Sequence, residues 1–217
     1  MKVGDEMKLG EEMKLGGEGW GGASLKRARV PCRPANTVAP VRVLERLERV
    51  ILVDHEDQAL GEGDKLDVHR EGQLHRAFSI LVFNARGELL LQRRAEGKYH
   101  FAGRWSNSCC GHPRPGERTY RAALRRLGEE LGFQAPLTED LQLVYRAQDP
   151  HSGLIEHEYL HVFRGRFVGA PRPDPDEVGA WRWMSPAGVR RALSRRPELF
   201  TPWFALLVDR MLGSGSD

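Results

Sequence analysis

The sequence contains few cysteines and lacks a long apolar segment. Only three of its 217 residues are cysteine, and two of them, Cys109 and Cys110, are neighbours. Adjacent cysteines rarely pair without strain, so the disulfide framework of a small secreted domain is not expected. A reducing, cytoplasmic location with functional thiols is the better prediction. No run of about 18 apolar residues occurs, so we expect no insertion into a membrane.

The sequence also lacks a strong charge of either sign. A net charge of +3 does not by itself predict binding to nucleic acid, and we expect none. With 40% hydrophobic and 29% charged residues, the chain can bury a core as a globular domain. We expect a monomer or a weak homodimer.

The first 40 residues differ in composition from the rest of the chain. They begin with three related hexamers, MKVGDE, MKLGEE and MKLGGE, which are rich in glycine and acidic residues. No apolar stretch follows, and the acids argue against a transit peptide, so a targeting segment is not predicted. We predict a disordered, low-complexity extension over residues 1–40 and one folded domain over residues 41–217.

The folded part of the sequence alternates between strand and helix patterns. Strands are predicted over residues 50–53, 78–83, 88–93, 141–147, 156–167 and 181–184. Helices are predicted over residues 119–131, from Pro186 after the N-cap Ser185, and from Pro202 to Leu212. Gly132 is expected to end the first of these helices. This order favours an α+β sandwich.

The helix over residues 119–131 has an apolar stripe at helical spacing. We expect its members to be buried, and they are Tyr120, Ala123, Leu124, Leu127 and Leu131. Arg125 and Arg126 lie four residues before Glu129 and Glu130. Such pairs on an exposed helix face contribute only about 0.3–0.5 kcal/mol each, so their presence alone does not indicate a site.

Residues 105–117 are the most chemically distinctive segment. A thiol at Cys110 and an imidazole at His112 lie two residues apart, beside glycine and proline. These neighbours favour a turn that brings both side chains into one pocket. A carboxylate-bearing helix follows directly, which indicates a reactive site.

This segment and the helix resemble the Nudix box, in which helix glutamates hold magnesium against a diphosphate. The matching residues are Gly111, Glu117, Arg125, Glu129 and Glu130. Arg126 stands where the box has its first helix glutamate, a change expected to weaken multi-metal hydrolysis. The resemblance implies a Nudix-like α/β/α sandwich with a mixed sheet, and it implies that Glu130 binds Mg²⁺ together with the substrate diphosphate.

Three further motifs resemble type I isopentenyl-diphosphate isomerases, which share the Nudix fold. They are the segment Asn-Ser-Cys-Cys-Gly-His-Pro at residues 107–113, the upstream pair His69 and His75, and the downstream Glu156-His157-Glu158. The likeness extends over residues 50–203. On a strand, Glu156 and Glu158 would point to one face and His157 to the other.

The resemblance implies a metal site and a proton-transfer pair. The implied ligands of one Zn²⁺ or Mn²⁺ are His69, His75, His112, Glu156 and Glu158, a donor set that suits either ion. Cys110 and Glu158 would lie on opposite sides of an alkene, with the Tyr145 hydroxyl assisting. Trp203 would stabilise a carbocation by cation–π attraction, although a core tryptophan explains it equally well.

Four basic residues are implied to bind the diphosphate, namely Lys65, Arg94, Lys98 and Arg126. The activity implied is the isomerisation of isopentenyl diphosphate to dimethylallyl diphosphate, for isoprenoid biosynthesis. Two alternatives stay open: a Nudix hydrolase of a diphosphate, and a non-catalytic zinc-stabilised interaction domain. Four histidines match no motif and are predicted to be structural: His55, His100, His151 and His161.

Overall fold

A computed structural model describes residues 48–211 of the chain. The predicted extension over residues 1–40 lies outside the described residues, as does Leu212, the expected end of the last helix. The strands in the described part are β1 (Arg49–Val53), β2 (Ala59–Asp64), β3 (His75–Phe83), β4 (Leu89–Arg94), β5 (Trp105–Ser106), β6 (Cys109–Gly111), β7 (Leu137–Gln148), β8 (Ile155–Arg166) and β9 (Val178–Met184). The helices are α1 (Lys65–Glu71), α2 (Thr119–Leu131), α3 (Pro186–Arg195) and α4 (Pro202–Met211), with a 3-10 turn at Pro197–Leu199.

Strand β3 organises the sheet. It pairs in parallel with β8 from His75 opposite Glu158 to Phe83 opposite Arg166. Its other pairings, with β1, β4 and β6, are antiparallel. Beyond these neighbours, β7 joins β8, β9 and β5 join β4, and β2 joins β1. The sheet is therefore mixed, and its parallel register sets a histidine directly beside a glutamate.

Two hydrophobic cores lie on opposite faces of the sheet. Phe78 and Ile80 of β3 belong to the core that packs against α2, whereas Leu81 belongs to the core that includes Phe204 and Leu207 of α4. Side chains of a strand alternate between faces, so β3 supplies both layers. The α/β/α sandwich is therefore confirmed. None of the helices described within residues 48–211 has the length and hydrophobicity that a membrane-spanning helix needs.

The helix ends predicted within residues 48–211 agree with the structure. Helix α2 spans Thr119–Leu131 as expected, and Gly132 caps it with a left-handed φ of 70°. The Ser185 side chain accepts a hydrogen bond from the Gly188 N–H at 3.2 Å, and Pro186 opens α3. These ends could be predicted because capping depends on local sequence.

The predicted buried stripe of α2 is partly wrong. Tyr120 is 40% exposed and Leu124 is only half-buried, whereas Ala122 and Glu130 are buried. The buried face is therefore rotated around the helix axis toward Glu130. This rotation turns a carboxylate inward, against the apolar pattern of the sequence, and places it in the cleft described below.

Helix α1 and three strands, β2, β5 and β6, were not predicted. Helix α1 is only seven residues long, with the Asp64 carboxylate accepting from the Leu66 and Asp67 N–H groups and Gly72 in the left-handed conformation at its end. The segment predicted as a reactive loop contains the short strands β5 and β6. Each is too short to show a periodic pattern.

Candidate active site

Three histidines and one glutamate from distant parts of the chain form a buried cluster. The ligand atoms of His69, His75, His112 and Glu156 lie within 4.8 Å of one another. Helix α1 carries the first, β3 begins with the second, the third follows β6, and β8 carries the glutamate. Because β6 and β8 both pair with β3, the sheet itself brings three of the four together.

Backbone contacts fix the orientation of two of these imidazoles. The His69 Nδ1 lies 2.6 Å from the Lys65 carbonyl oxygen, and the His75 Nδ1 lies 2.9 Å from the Gln73 carbonyl oxygen. A carbonyl oxygen only accepts, so each Nδ1 carries a hydrogen, and Nε2 is the ring nitrogen that faces the cluster. This is the arrangement by which a backbone carbonyl orients a metal-binding histidine.

The two glutamates of β8 face this cluster from the same side of the strand. Glu156 Oε2 lies 3.1 Å from His69 Nε2, and Glu158 Oε1 lies 3.1 Å from His112 Nε2 and 4.0 Å from His75 Nε2. His157 points to the other face, where its Nδ1 lies 2.9 Å from the Gly72 carbonyl oxygen. The alternation predicted for β8 is therefore confirmed.

Burial and neighbouring charges shift the pKa values of four groups at the cluster. It lowers the pKa of His75 to about 4, with the neighbouring His69 adding to the effect, and it lowers the pKa of His112 well below its usual value. Burial raises the pKa of Glu156, but His69 and His100 lower it more, so that it falls well below the usual value. Burial and the Glu156 charge raise the pKa of Glu158 well above the usual value.

The donor atoms fit a divalent transition metal. Neutral imidazoles and an ionised carboxylate are the protonation states that bind metal. His69 Nε2 and Glu156 Oε2 are buried and face each other without forming a hydrogen bond. A cation between imidazole nitrogens and carboxylate oxygens would satisfy both atoms, and Zn²⁺ and Mn²⁺ accept such mixed ligands.

The two neighbouring cysteines occupy different environments. Cys109 is fully buried in the core beneath α2, whereas Cys110 lines a cleft above the histidine cluster. The Cys110 thiol lies 3.2 Å from Asn107 Oδ1, which accepts from it, and 3.4 Å from Ser79 Oγ. Burial raises the pKa of Cys110 to about 11, so the sulfur carries a proton at neutral pH.

Glu158, Tyr145 and Trp203 line the same cleft as Cys110. The Tyr145 hydroxyl donates to Glu158 Oε2 at 2.7 Å, and burial raises the pKa of that hydroxyl well above its usual value. Trp203 is only 3% exposed, and its indole N–H donates to Ser106 Oγ at 3.0 Å. Trp203 thus belongs to the core and also forms part of the cleft wall.

The four basic residues predicted to bind a diphosphate also converge on this cleft. Lys65 pairs with Glu48 at 2.7 Å. Arg94 donates to the His100 carbonyl oxygen at 3.2 Å, and its guanidinium carbon lies 5.8 Å from the Trp203 ring centroid.

Lys98 and Arg126 are held by one carboxylate, Glu177, which sequence reasoning did not identify. Lys98 pairs with it directly, and Arg126 Nη2 lies 3.2 Å from Glu177 Oε1. Although burial raises the pKa of Glu177, the two cations lower it to about 2. Glu177 precedes β9, and nothing in the sequence pattern indicates which residues this turn approaches.

Glu130 lies between Arg126 and Gln92. Arg126 donates to its Oε1 at 2.5 Å, and Gln92 donates to its Oε2 at 3.0 Å. Each carboxylate oxygen has two lone pairs, so Glu130 can still ligate a cation. Arg126, which replaces the expected glutamate of the box, thus pairs with both of the helix glutamates that the box retains, Glu129 and Glu130.

His100 was predicted to be structural, but the structure places it against a predicted metal ligand. It is 7% exposed, and its Nε2 contacts Glu156 Oε1. Its position in an irregular segment between β4 and β5 gave no periodic signal. By contrast, His161 lies away from the cluster, 3.1 Å from Asp57 Oδ2 and 2.8 Å from Glu139 Oε1.

Comparisons with known proteins identify the family and the fold. The family model described as the NUDIX domain matches residues 73–204. The isopentenyl-diphosphate Delta-isomerase of Halorhodospira halophila is 52% identical over 165 residues, which is 75% of this chain and 94% of that protein. The isopentenyl-diphosphate Delta-isomerase of Burkholderia multivorans is 50% identical over 75% of this chain and 92% of its own length.

A solved structure supports the fold. The DR0079 protein of Deinococcus radiodurans superposes with a TM-score of 0.62 at 21% identity, covering 75% of this chain and 98% of that protein. At this identity the likeness concerns the fold alone, whereas the curated relatives are half identical over nearly their whole length. The chain therefore has the Nudix fold and belongs to the isopentenyl-diphosphate Delta-isomerase family.

Proposed function

We propose that this protein converts isopentenyl diphosphate to dimethylallyl diphosphate in the cytoplasm, as a monomer or weak homodimer, for isoprenoid biosynthesis. The observation that carries the proposal is one cleft in which the Cys110 thiol and the Glu158 carboxyl group meet cationic side chains. A hydrolase needs the cations and the helix carboxylates, but it has no use for a protonated thiol beside a buried glutamate.

The reaction moves a double bond by adding one proton and removing another. One of the two groups, Cys110 or Glu158, delivers a proton to the terminal alkene carbon, which leaves positive charge on the tertiary carbon. The other group, which starts the step deprotonated, accepts a proton from the carbon nearer the diphosphate, and the electron pair of that C–H bond forms the new double bond to the tertiary carbon. Tyr145 donates to Glu158 and steadies that carboxyl group as its charge changes.

The surroundings of the cleft suit a carbocation. Trp203 offers an aromatic face, and cation–π attraction in a dry site is worth about 2 kcal/mol. Trp203, Tyr145 and Phe101 are each less than 10% exposed, and this burial excludes water that would trap the cation.

We assign the metal site to the five residues named from the sequence. His69, His75, His112, Glu156 and Glu158 would hold one Zn²⁺ or Mn²⁺, which when bound neutralises the two carboxylates and fixes Glu158 toward the alkene. Glu130 would hold Mg²⁺ that accompanies the diphosphate. Lys65, Arg94, Lys98 and Arg126 would neutralise the phosphate oxygens, with the guanidinium groups able to bind in a bidentate manner.

Incubation of the purified chain with isopentenyl diphosphate, Mg²⁺ and either Zn²⁺ or Mn²⁺ tests the proposal. Dimethylallyl diphosphate is the expected product, identified by chromatography against an authentic standard. Release of phosphate or pyrophosphate without isomerisation would indicate a hydrolase and overturn the proposal. No turnover by metal-loaded protein would also overturn it.

A further inference from the structure

His100 makes a contact for which neither the motifs nor the comparisons provide a role. Its ring is buried, and Nε2 contacts Glu156 Oε1 while the other Glu156 oxygen, Oε2, faces His69. The ring centroids of His100 and His69 lie 5.7 Å apart. Glu156 therefore lies between two imidazoles, one facing each carboxylate oxygen.

The chemistry of this contact fixes the direction of the hydrogen bond. An ionised carboxylate only accepts, so His100 Nε2 must carry the hydrogen and donate it to Oε1. That donation leaves Oε2 as the oxygen available to the cluster. Because His100 Nε2 donates to Glu156, it is not available as a metal ligand. It also lies outside the group of four ligand atoms that are within 4.8 Å of one another.

Hydrogen bonds fix the backbone on both sides of the His100–Phe101 peptide bond. Arg94 donates to the His100 carbonyl oxygen, and the next residue, Phe101, donates its N–H to Asp149 Oδ2 at 3.1 Å. Phe101 has a φ of 46°, a left-handed conformation that phenylalanine rarely adopts and that persists where surrounding contacts impose it. The imidazole is thus presented to Glu156 from a fixed backbone.

We propose that His100 is a positioning residue, which holds Glu156 by its Oε1 so that Oε2 points at the transition metal. The inference rests on the proposed metal site. Groups that orient a metal-binding carboxylate typically contribute a factor of about 10–100 to metal affinity. We therefore expect a substitution of His100 to lower the affinity for the metal directly, and to lower the reaction rate only through the metal.

Two amide substitutions separate this role from simple filling of space. In His100→Gln the side-chain NH₂ lies near the place of Nε2 and keeps a donor for Glu156, whereas in His100→Asn the amide is too short to reach it. Both variants are neutral and polar. His161→Asn serves as a control, since His161 is as buried as His100 but lies outside the cluster.

The measurement is the dissociation constant for Zn²⁺ and for Mn²⁺, obtained by stripping the full chain with a chelator and titrating it against a competing metal indicator. We expect affinity within about threefold of wild type for His100→Gln and for the control, and a loss of about 10–100-fold for His100→Asn. Circular dichroism establishes that each variant is folded.

The possible outcomes distinguish this inference from the proposed function. Equal affinities for wild type and His100→Asn would overturn the role of His100 and leave the metal site standing. Equal losses in the Gln and Asn variants would overturn it too, because the donor would then be irrelevant. A wild-type protein that binds neither metal would overturn the metal site, and with it the inference.

Discussion

Single residues in the cleft differ in role because their nearest contacts differ. Cys109 and Cys110 are identical in chemistry and adjacent in sequence, yet one packs in the core and the other faces the cleft. A strand alternates its side chains between faces, so β6 can present only one of the two thiols.

Cys110→Ala should lower kcat by a factor of about 10²–10⁴, the usual contribution of a positioned proton donor or acceptor. Cys109→Ala is the matched control: it removes the same atom from the core, and we expect nearly wild-type kcat with somewhat lower stability. Steady-state kinetics with isopentenyl diphosphate provide the measurement. Similar losses in both variants would contradict the assignment of Cys110.

Tyr145→Phe should reduce kcat by about 10–100-fold while metal content stays at the wild-type level, because it removes only the hydroxyl that donates to Glu158. Tyr159→Phe is the control, since the Tyr159 hydroxyl donates to Gln142 on the surface. Kinetics combined with elemental analysis of the purified variants test this. An unchanged kcat in Tyr145→Phe would show that the Tyr145 hydroxyl takes no part in the reaction.

Whole elements decide which side chains meet. The span of helix α2 could be predicted because its apolar periodicity and its C-cap Gly132 are local features of the sequence, but which of its faces is buried could not. The inward position of Glu130 depends on Arg126 and Gln92, and Gln92 comes from β4. Helix α1 was missed because seven residues give too little periodicity, although the Asp64 and Gly72 caps were present in the sequence.

The turn before β9 adds a pH-dependent contribution to stability through Glu177. The pKa of its carboxyl group falls from 4.5 to about 2 on folding, so the stabilisation is complete above about pH 5.5 and declines as the pH falls from 4.5 toward 2. The advantage of wild type over Glu177→Gln should therefore shrink by about 2 kcal/mol between pH 6 and pH 3.

Urea unfolding of wild type and Glu177→Gln at several pH values in this range measures that advantage. The side chain is 22% exposed, so solvent screening reduces the effect only in part. A difference in the free energy of unfolding that stays constant across the range would contradict the ion pairs with Lys98 and Arg126.

At the scale of the whole molecule, the proposed metal links α1, β3, the segment after β6, and β8. A ligand that binds only the folded state stabilises it, by about 4 kcal/mol when its concentration is 1,000 times the dissociation constant. Removing the metal with a chelator should thus lower the unfolding temperature, and adding Zn²⁺ or Mn²⁺ should restore it. Calorimetry measures the shift.

His75→Ala is the control for this experiment, because it lacks one ligand and should respond little to added metal. If neither the chelator nor added metal changed the unfolding temperature of wild type, a metal site that joins these elements would be contradicted. The substrate assay then remains as the independent test of activity.

The sequence by itself determined what depends on neighbours along the chain. It was enough to predict the end of α2 at Gly132, the cap at Ser185 and the shared face of Glu156 and Glu158, because these follow from local geometry. The four ordered motifs also sufficed for the family, since chance rarely reproduces several spacings in one order.

Only the tertiary structure decided which residues touch. The contact of His100 with Glu156, and the shared carboxylate of Glu177 under Lys98 and Arg126, join residues that are far apart in the chain. No periodicity encodes such contacts, because they depend on how strands register and where irregular segments cross the sheet. The physical reason is that side-chain alternation is a local property, whereas contact between distant residues requires the whole core to be packed.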